Sequence, residues 1–194
     1  MKTRAEAFRR ILEVLDRLEI PYLVGGSLAS SIYGIQRSTM DADLVADLRL
    51  DQVEEFAGEL KAEFYADPGM MKEALQRDRP FNLIHYASSF KFDIFPLLPD
   101  DYSQTQVRRR RFEETNSFGE EPIECAVATA EDTILNKLRR YRAGGETSEL
   151  QWNDLRGILQ VSGARLDLGY LREWAPFLGV ADLLDRLLGE RAPQ

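Results

Sequence analysis

A single cysteine, Cys125, and a single histidine, His85, are all that 194 residues offer to thiolate or imidazole chemistry. One thiol makes neither an internal disulfide nor a thiolate-rich zinc site, which accords with a reducing compartment. His85 lies in an apolar stretch and reads as packed or hydrogen-bonded, so no Ser-His-Asp arrangement can be built on it. Any bound metal must be held by oxygen. The chain also lacks a run of about 18 uncharged apolar residues, the length a bilayer-crossing helix requires. Its first residues, MKTRAEAFRR, lack the apolar segment of a secretory signal. These absences predict a cytoplasmic protein with no membrane partner. Excess positive charge is missing too: 33 acidic residues against 25 basic ones leave a net charge of −8. Whole-molecule attraction to nucleic acid is therefore weak, and a local patch would have to supply it. The stretch 108–142 holds Arg108 to Arg111, Lys137, Arg139, Arg140 and Arg142, but with nearly as many carboxylates among them.

What is present is an apolar fraction of 44%, enough for a real core in one domain, or in one domain with a small helical partner. Phe8, Ile11, Leu12, Leu15 and Leu18 recur at helical spacing before Pro21. Tyr22 to Val24 reads as a short buried strand, Leu28 to Tyr33 as a helix, and Asp41 to Leu48 as a strand. Helices are expected over about 51–63, with Val53, Phe56, Ala57 and Leu60 as the apolar stripe, and over 68–76, opened by a proline. "FNLIHYA" and "FKFDIFP" read as a hairpin over 81–96 broken at Ser88-Ser89. A second strand pair is expected at 108–114 and 122–128. From Thr129 the pattern turns helical: Thr129 and Asp132 have capping spacing, and a helix should run to about Arg142. After the linker AGGETS, three further helices should fill 149–190, with Trp152 and Trp174 in their cores. The expected architecture is α/β (α+β), a mixed sheet flanked by helices over 1–128, then a C-terminal helical bundle over 129–194.

Asp41 and Asp43 lie two apart on one strand, so both carboxylates point to one face, joined by Asp47 if the strand continues. Ala42, Leu44, Ala46 and Leu48 make the other face apolar. A solvated strand face is the plain explanation. Asp93 strengthens a chemical one, because it sits between Phe92 and Ile94 in an otherwise apolar strand. Three converging carboxylates repel one another unless protonated or bridged by cations. Mg²⁺ would bridge them, and it prefers a few carboxylates together with substrate phosphate oxygens. Gly25-Gly26-Ser27, between a strand and a helix, supplies backbone that can approach a phosphate. The Arg108 to Arg111 run, alternating faces in a strand, reads as a solvated edge that discourages strand pairing.

Gly26-Ser27, thirteen intervening residues and Asp41-Ala42-Asp43-Leu44 together resemble the signature of the DNA polymerase beta-type nucleotidyltransferase superfamily. The thirteen-residue gap is at the long end of that family's range. "ATAEDTILNKLRRY" and "QWNDLRGIL" are more loosely similar to helices of nucleotidyltransferase toxins from abortive-infection and toxin–antitoxin systems. The resemblance implies a nucleotidyltransferase-type sheet and transfer of a nucleoside monophosphate from an NTP. Asp41, Asp43 and Asp93 would be catalytic and would hold two Mg²⁺ ions. Gly26 and Ser27 would contact the β and γ phosphates, with Lys137 and Arg37 assisting at the triphosphate. A solvated helix lysine and a surface loop arginine are the plain alternatives for those two cations, and Asp154 reads as structural. The acceptor could be tRNA, protein or a small molecule, and an antitoxin is a possible partner. The alternatives are an aminoglycoside-type nucleotidyltransferase and a non-catalytic nucleotide- or partner-binding module of the same fold.

Overall fold

The computed structural model describes residues 3–37, 39, 41–119 and 121–190, so the last four positions of the expected helical bundle lie outside the described residues. Helix α1 (Arg4–Arg17) starts at a reciprocal cap: Thr3 Oγ1 accepts from the Glu6 amide while the Glu6 carboxylate accepts from the Thr3 amide. There follow β1 (Tyr22–Val24), α2 (Gly26–Tyr33), β2 (Asp41–Ala46), α3 (Val53–Leu60), β3 (Phe64–Tyr65) and α4 (Pro68–Gln76). The hairpin β4 (Phe81–His85) and β5 (Lys91–Pro96) leads to α5 (Asp101–Arg109), β6 (Arg111–Thr115) and β7 (Ile123–Val127). Helices α6 (Ala130–Ala143), α7 (Glu149–Ser162), α8 (Leu168–Phe177) and α9 (Ala181–Gly189) close the described chain. Among the described residues, no helix is long and apolar enough to cross a membrane.

The strands form one mixed sheet in the order β3-β4-β5-β2-β1-β7-β6. Two pairings are parallel, β2 with β5 and β1 with β7, and the rest are antiparallel. Period-two alternation gives the sheet two different faces. Tyr22, Val24, Ala42, Leu44, Phe92 and Ile94 face α1, α3 and α4 and form a core with Phe8, Ile11, Phe56 and Met71. Each of the larger aliphatic and phenylalanine side chains among them contributes roughly 1.5–3 kcal/mol by leaving water. The opposite face carries Leu23, Val45 and the three aspartates. A second core lies among the later helices, where Ile134, Leu138, Trp152, Leu155, Ile158, Leu171 and Leu183 meet Tyr102 from α5. As expected, Trp152 is buried there; Trp174 is only partly buried, packing at its margin.

Several expectations need correction. The segment 108–114 is not one strand. Asp100 accepts from the Ser103 amide and caps α5, which places Tyr102, Gln106 and Val107 on one buried face, so the extended chain begins only at Arg111. Arg108 and Arg109 therefore end a helix, and the Arg109 guanidinium stacks 3.8 Å over the Tyr170 ring. The run is not an alternating strand edge. Strand β2 stops at Ala46, which leaves Asp47 exposed and outside the carboxylate row. Strand β3, two residues long, is too short for any alternation to reveal. His85 is buried, with Nδ1 2.8 Å from Ser88 Oγ and its ring against Phe64.

Candidate active site

Register puts the carboxylates together. In the parallel pair, Asp43 is opposite Asp93 and Asp41 is opposite Lys91, so all four side chains project from the same sheet face. Strand β4 continues the row: Asn82, opposite Asp93, donates to Asp93 Oδ1. Lys91 Nζ lies 2.8 Å from Asp93 Oδ2. Thr39 Oγ1 donates to Asp41 Oδ1 at 3.2 Å.

Asp43 is the most enclosed of the three aspartates, at 7% exposure. Its Oδ2 is 3.4 Å from Arg140 Nη1, and its Oδ1 is buried with no partner among the described residues. Burial pushes its pKa up; Arg140 opposes that shift, and the neighbouring charges of Asp41 and Asp93 add to it. Gly26 packs directly on this carboxylate. With φ at +56° it adopts a left-handed conformation, and a Cβ built there would stand 1.8 Å from Asp43 Oδ2. The Gly25 amide donates to the Asp43 carbonyl at 2.9 Å, locking the turn onto β2. The first turn of α2, where backbone amides lack helical partners, thus abuts the acidic row.

Beside that turn is a polar clasp. Arg37 Nη2 donates to Ser27 Oγ at 2.9 Å, and its Nε and Nη2 meet the two oxygens of Asp154 at 2.9 and 3.0 Å. Lys137 Nζ reaches Asp154 Oδ2 at 2.7 Å. Lys137 is 7% exposed and so is not a solvated helix lysine. Burial holds its pKa below the ordinary lysine value, while Asp154 partly restores it. Burial alone would raise Asp154, yet the hydrogen bonds from Arg37 and Lys137 hold it below the usual carboxylate range. Asp154 serves as the structural group expected, but its partners are the two cations assigned to the triphosphate.

All seven residues singled out in the sequence therefore fall in two contiguous groups: Gly26 with Asp41, Asp43 and Asp93, and Ser27 with Arg37 and Lys137. Sequence reasoning missed Arg140, Lys91, Asn82 and Thr39. Arg140 had a usable signal, since it follows Lys137 by one helical turn. A cleft of about 440 Å³ opens beside the carboxylates, lined by Gly26, Asp43, Phe95, Gln106, Lys137 and Arg140 among others.

Carboxylate oxygens and an unpartnered buried oxygen are donors of the kind a hard divalent cation takes. Among the described residues no group of three or more His, Cys, Asp or Glu side chains is arranged to hold an ion. Lys91 and Arg140 supply positive charge against Asp93 and Asp43 instead. The residues fit such an ion by donor chemistry, with these two cations as its rivals.

No protein-family model matches the sequence, and no curated protein sequence matches it. Solved structures do. The antibiotic-resistance factor ANT(2'')-Ia superposes with a TM-score of 0.52 at 17% identity, over 92% of this chain and 93% of that one. An antigenic nucleotidyltransferase-like protein from Paracoccidioides brasiliensis gives 0.57 at 15% identity, over 97% and 90%. The fold is that of nucleotidyltransferases, with helices following the sheet.

Proposed function

On this fold, we propose that the protein is a Mg²⁺-dependent nucleotidyltransferase that moves a nucleoside monophosphate from an NTP to an acceptor hydroxyl and releases pyrophosphate. The observation that carries this reading is the register of Asp43 with Asp93 beside Gly26, with one Asp43 oxygen buried and unpartnered among the described residues. Asp41, Asp43 and Asp93 hold two Mg²⁺ ions, which when bound neutralise the triphosphate and lower the barrier to attack. The Gly26 backbone and the Ser27 hydroxyl meet the β and γ phosphates. Lys137 and Arg37, oriented by Asp154, pair with the same oxygens. Asp93 accepts the proton of the acceptor hydroxyl as the new O–P bond forms at the α phosphorus and the bond to pyrophosphate breaks.

Two observations bear on the acceptor. The fold it shares with an antibiotic-resistance factor supports a small hydroxylated molecule. The toxin-like motifs support tRNA or protein, with an antitoxin as regulatory partner. Labelled NTPs with Mg²⁺ and, in parallel, an aminoglycoside, tRNA and cell extract should transfer label to one of these. Asp41→Ala/Asp43→Ala should abolish the transfer, and identical labelling by that variant and the wild type would sink the assignment. A binding module would instead retain NTP without Mg²⁺ in calorimetry and never release pyrophosphate.

A further inference from the structure

The cleft does not end at the carboxylates. From Gly26 and Asp43 it continues over the aspartate face of the sheet to a floor of Leu23, Val45, Phe95 and Leu97, under α5 and α6. Lys137 and Arg140 stand on its α6 wall, one helical turn apart. The apolar floor has no use for a triphosphate, but it suits the flat apolar face of a nucleoside's ring, and the cleft holds about 440 Å³.

Two amides stand in that wall. Gln106 comes from α5 and is 7% exposed; Asn136 precedes Lys137 on α6. Asn136 Nδ2 donates to Gln106 Oε1 at 2.7 Å, and the Tyr102 hydroxyl lies 3.5 Å from Asn136 Oδ1. Among the described residues Gln106 Nε2 donates to none, so this donor opens toward the cleft that the side chain lines. A donor open to a cleft exchanges its water for whichever acceptor enters. The bond between the two amides also fixes their orientation. As placed, Gln106 presents Nε2 as donor and Asn136 presents Oδ1 as acceptor, and neither can turn over alone without breaking that bond.

We propose that Gln106 and Asn136 read the hydrogen-bonding edge of the donor nucleotide's base, which lies on Phe95 and Leu97 while its phosphates reach Gly26 and Lys137. This rests on the nucleotidyltransferase reading above and adds the element that selects among NTPs. Each base offers donors and acceptors along that edge in its own order, so a rigid donor–acceptor pair favours one order over the others. A base that presents the wrong order strips water from Gln106 or Asn136 without replacing it, which is how polar pockets discriminate.

Calorimetric titration of ATP, GTP, CTP, UTP and inorganic tripolyphosphate, each with Mg²⁺, tests this without an acceptor. The wild type should prefer one NTP by at least about tenfold. Gln106→Met/Asn136→Leu should bring all four within about threefold while tripolyphosphate affinity is unchanged. Equal affinities in the wild type, or an unaltered preference in the variant, would overturn the assignment of these two residues. Failure of the wild type to bind any NTP would instead bring down the nucleotidyltransferase reading and this inference with it. Gln106→Glu keeps the shape and replaces the donor by an acceptor, so if the double variant does not fold, its altered ranking of the four NTPs decides. An unchanged ranking overturns the proposal.

Discussion

Ionised Asp43 is held among like charges in an enclosed position, and the cation that hydrogen-bonds it, Arg140, is more than half exposed and 3.4 Å away. An acid whose folded pKa lies above its unfolded one takes up its proton earlier in the native state. Its favourable contribution to stability is present at low pH and is lost as the pH rises through the raised value. At neutral pH the charge is a liability to the fold, retained where a cation is to be bound. Asp43→Asn should therefore raise the thermal midpoint of the metal-free protein at pH 7 by a few degrees. The gain should shrink as the pH is lowered toward 4, while transfer falls by at least about 100-fold. A variant less stable than the wild type at pH 7 would show that Arg140 more than offsets the burial. The three aspartates were legible in the sequence because period-two alternation and one hairpin break determine which face each residue takes. Arg140, Lys91 and Asn82 were not, because their contacts depend on register and on the docking of α6, which no local pattern records.

Helix α7 matters to the site through one carboxylate. Asp154 and Lys137 are both less than one-tenth exposed at the side chain, and Arg37 reaches in from the loop before β2. Removing one member of a buried pair typically costs about 3–5 kcal/mol because the other charge is left unanswered. Asp154→Leu should accordingly lower stability strongly. Adding Lys137→Met should recover a large part of that loss without restoring NTP binding, as denaturant unfolding and calorimetry would show together. Additive losses in the double variant would mean that Lys137 and Asp154 are not coupled. Most elements could be read from periodicity and caps, including α6 from Thr129 and the β4–β5 hairpin. Helix α5 escaped because its mean character is polar, and its stripe of Tyr102, Gln106 and Val107 depends on an amide for one of three buried positions. The arginines that follow then read as part of β6.

Across the whole molecule, a net charge of −8 repels any polyanion at long range, while Lys137, Arg139 and Arg140 line one cleft and Arg37 shares Asp154 with Lys137. The Debye length falls from about 30 Å at 0.01 M salt to about 8 Å at 0.15 M. That change screens the distant carboxylates and leaves contacts of a few ångströms nearly intact. Nucleotide affinity should thus hold within about threefold, or improve, over this range, unlike the steep fall that counterion release imposes on nucleic-acid binders. A drop of tenfold or more would place the nucleotide on an exposed basic surface instead. The clasp between Arg37 and Asp154 has a consequence in time as well as in space, for it joins positions 117 residues apart. Chains emerge from the ribosome N-terminus first, and their parts fold as they become available. A growing polypeptide acquires Asp41, Asp43 and Asp93 well before α7 exists, so the nascent chain lacks the clasp of Arg37, Asp154 and Lys137 until that helix has been made and has docked.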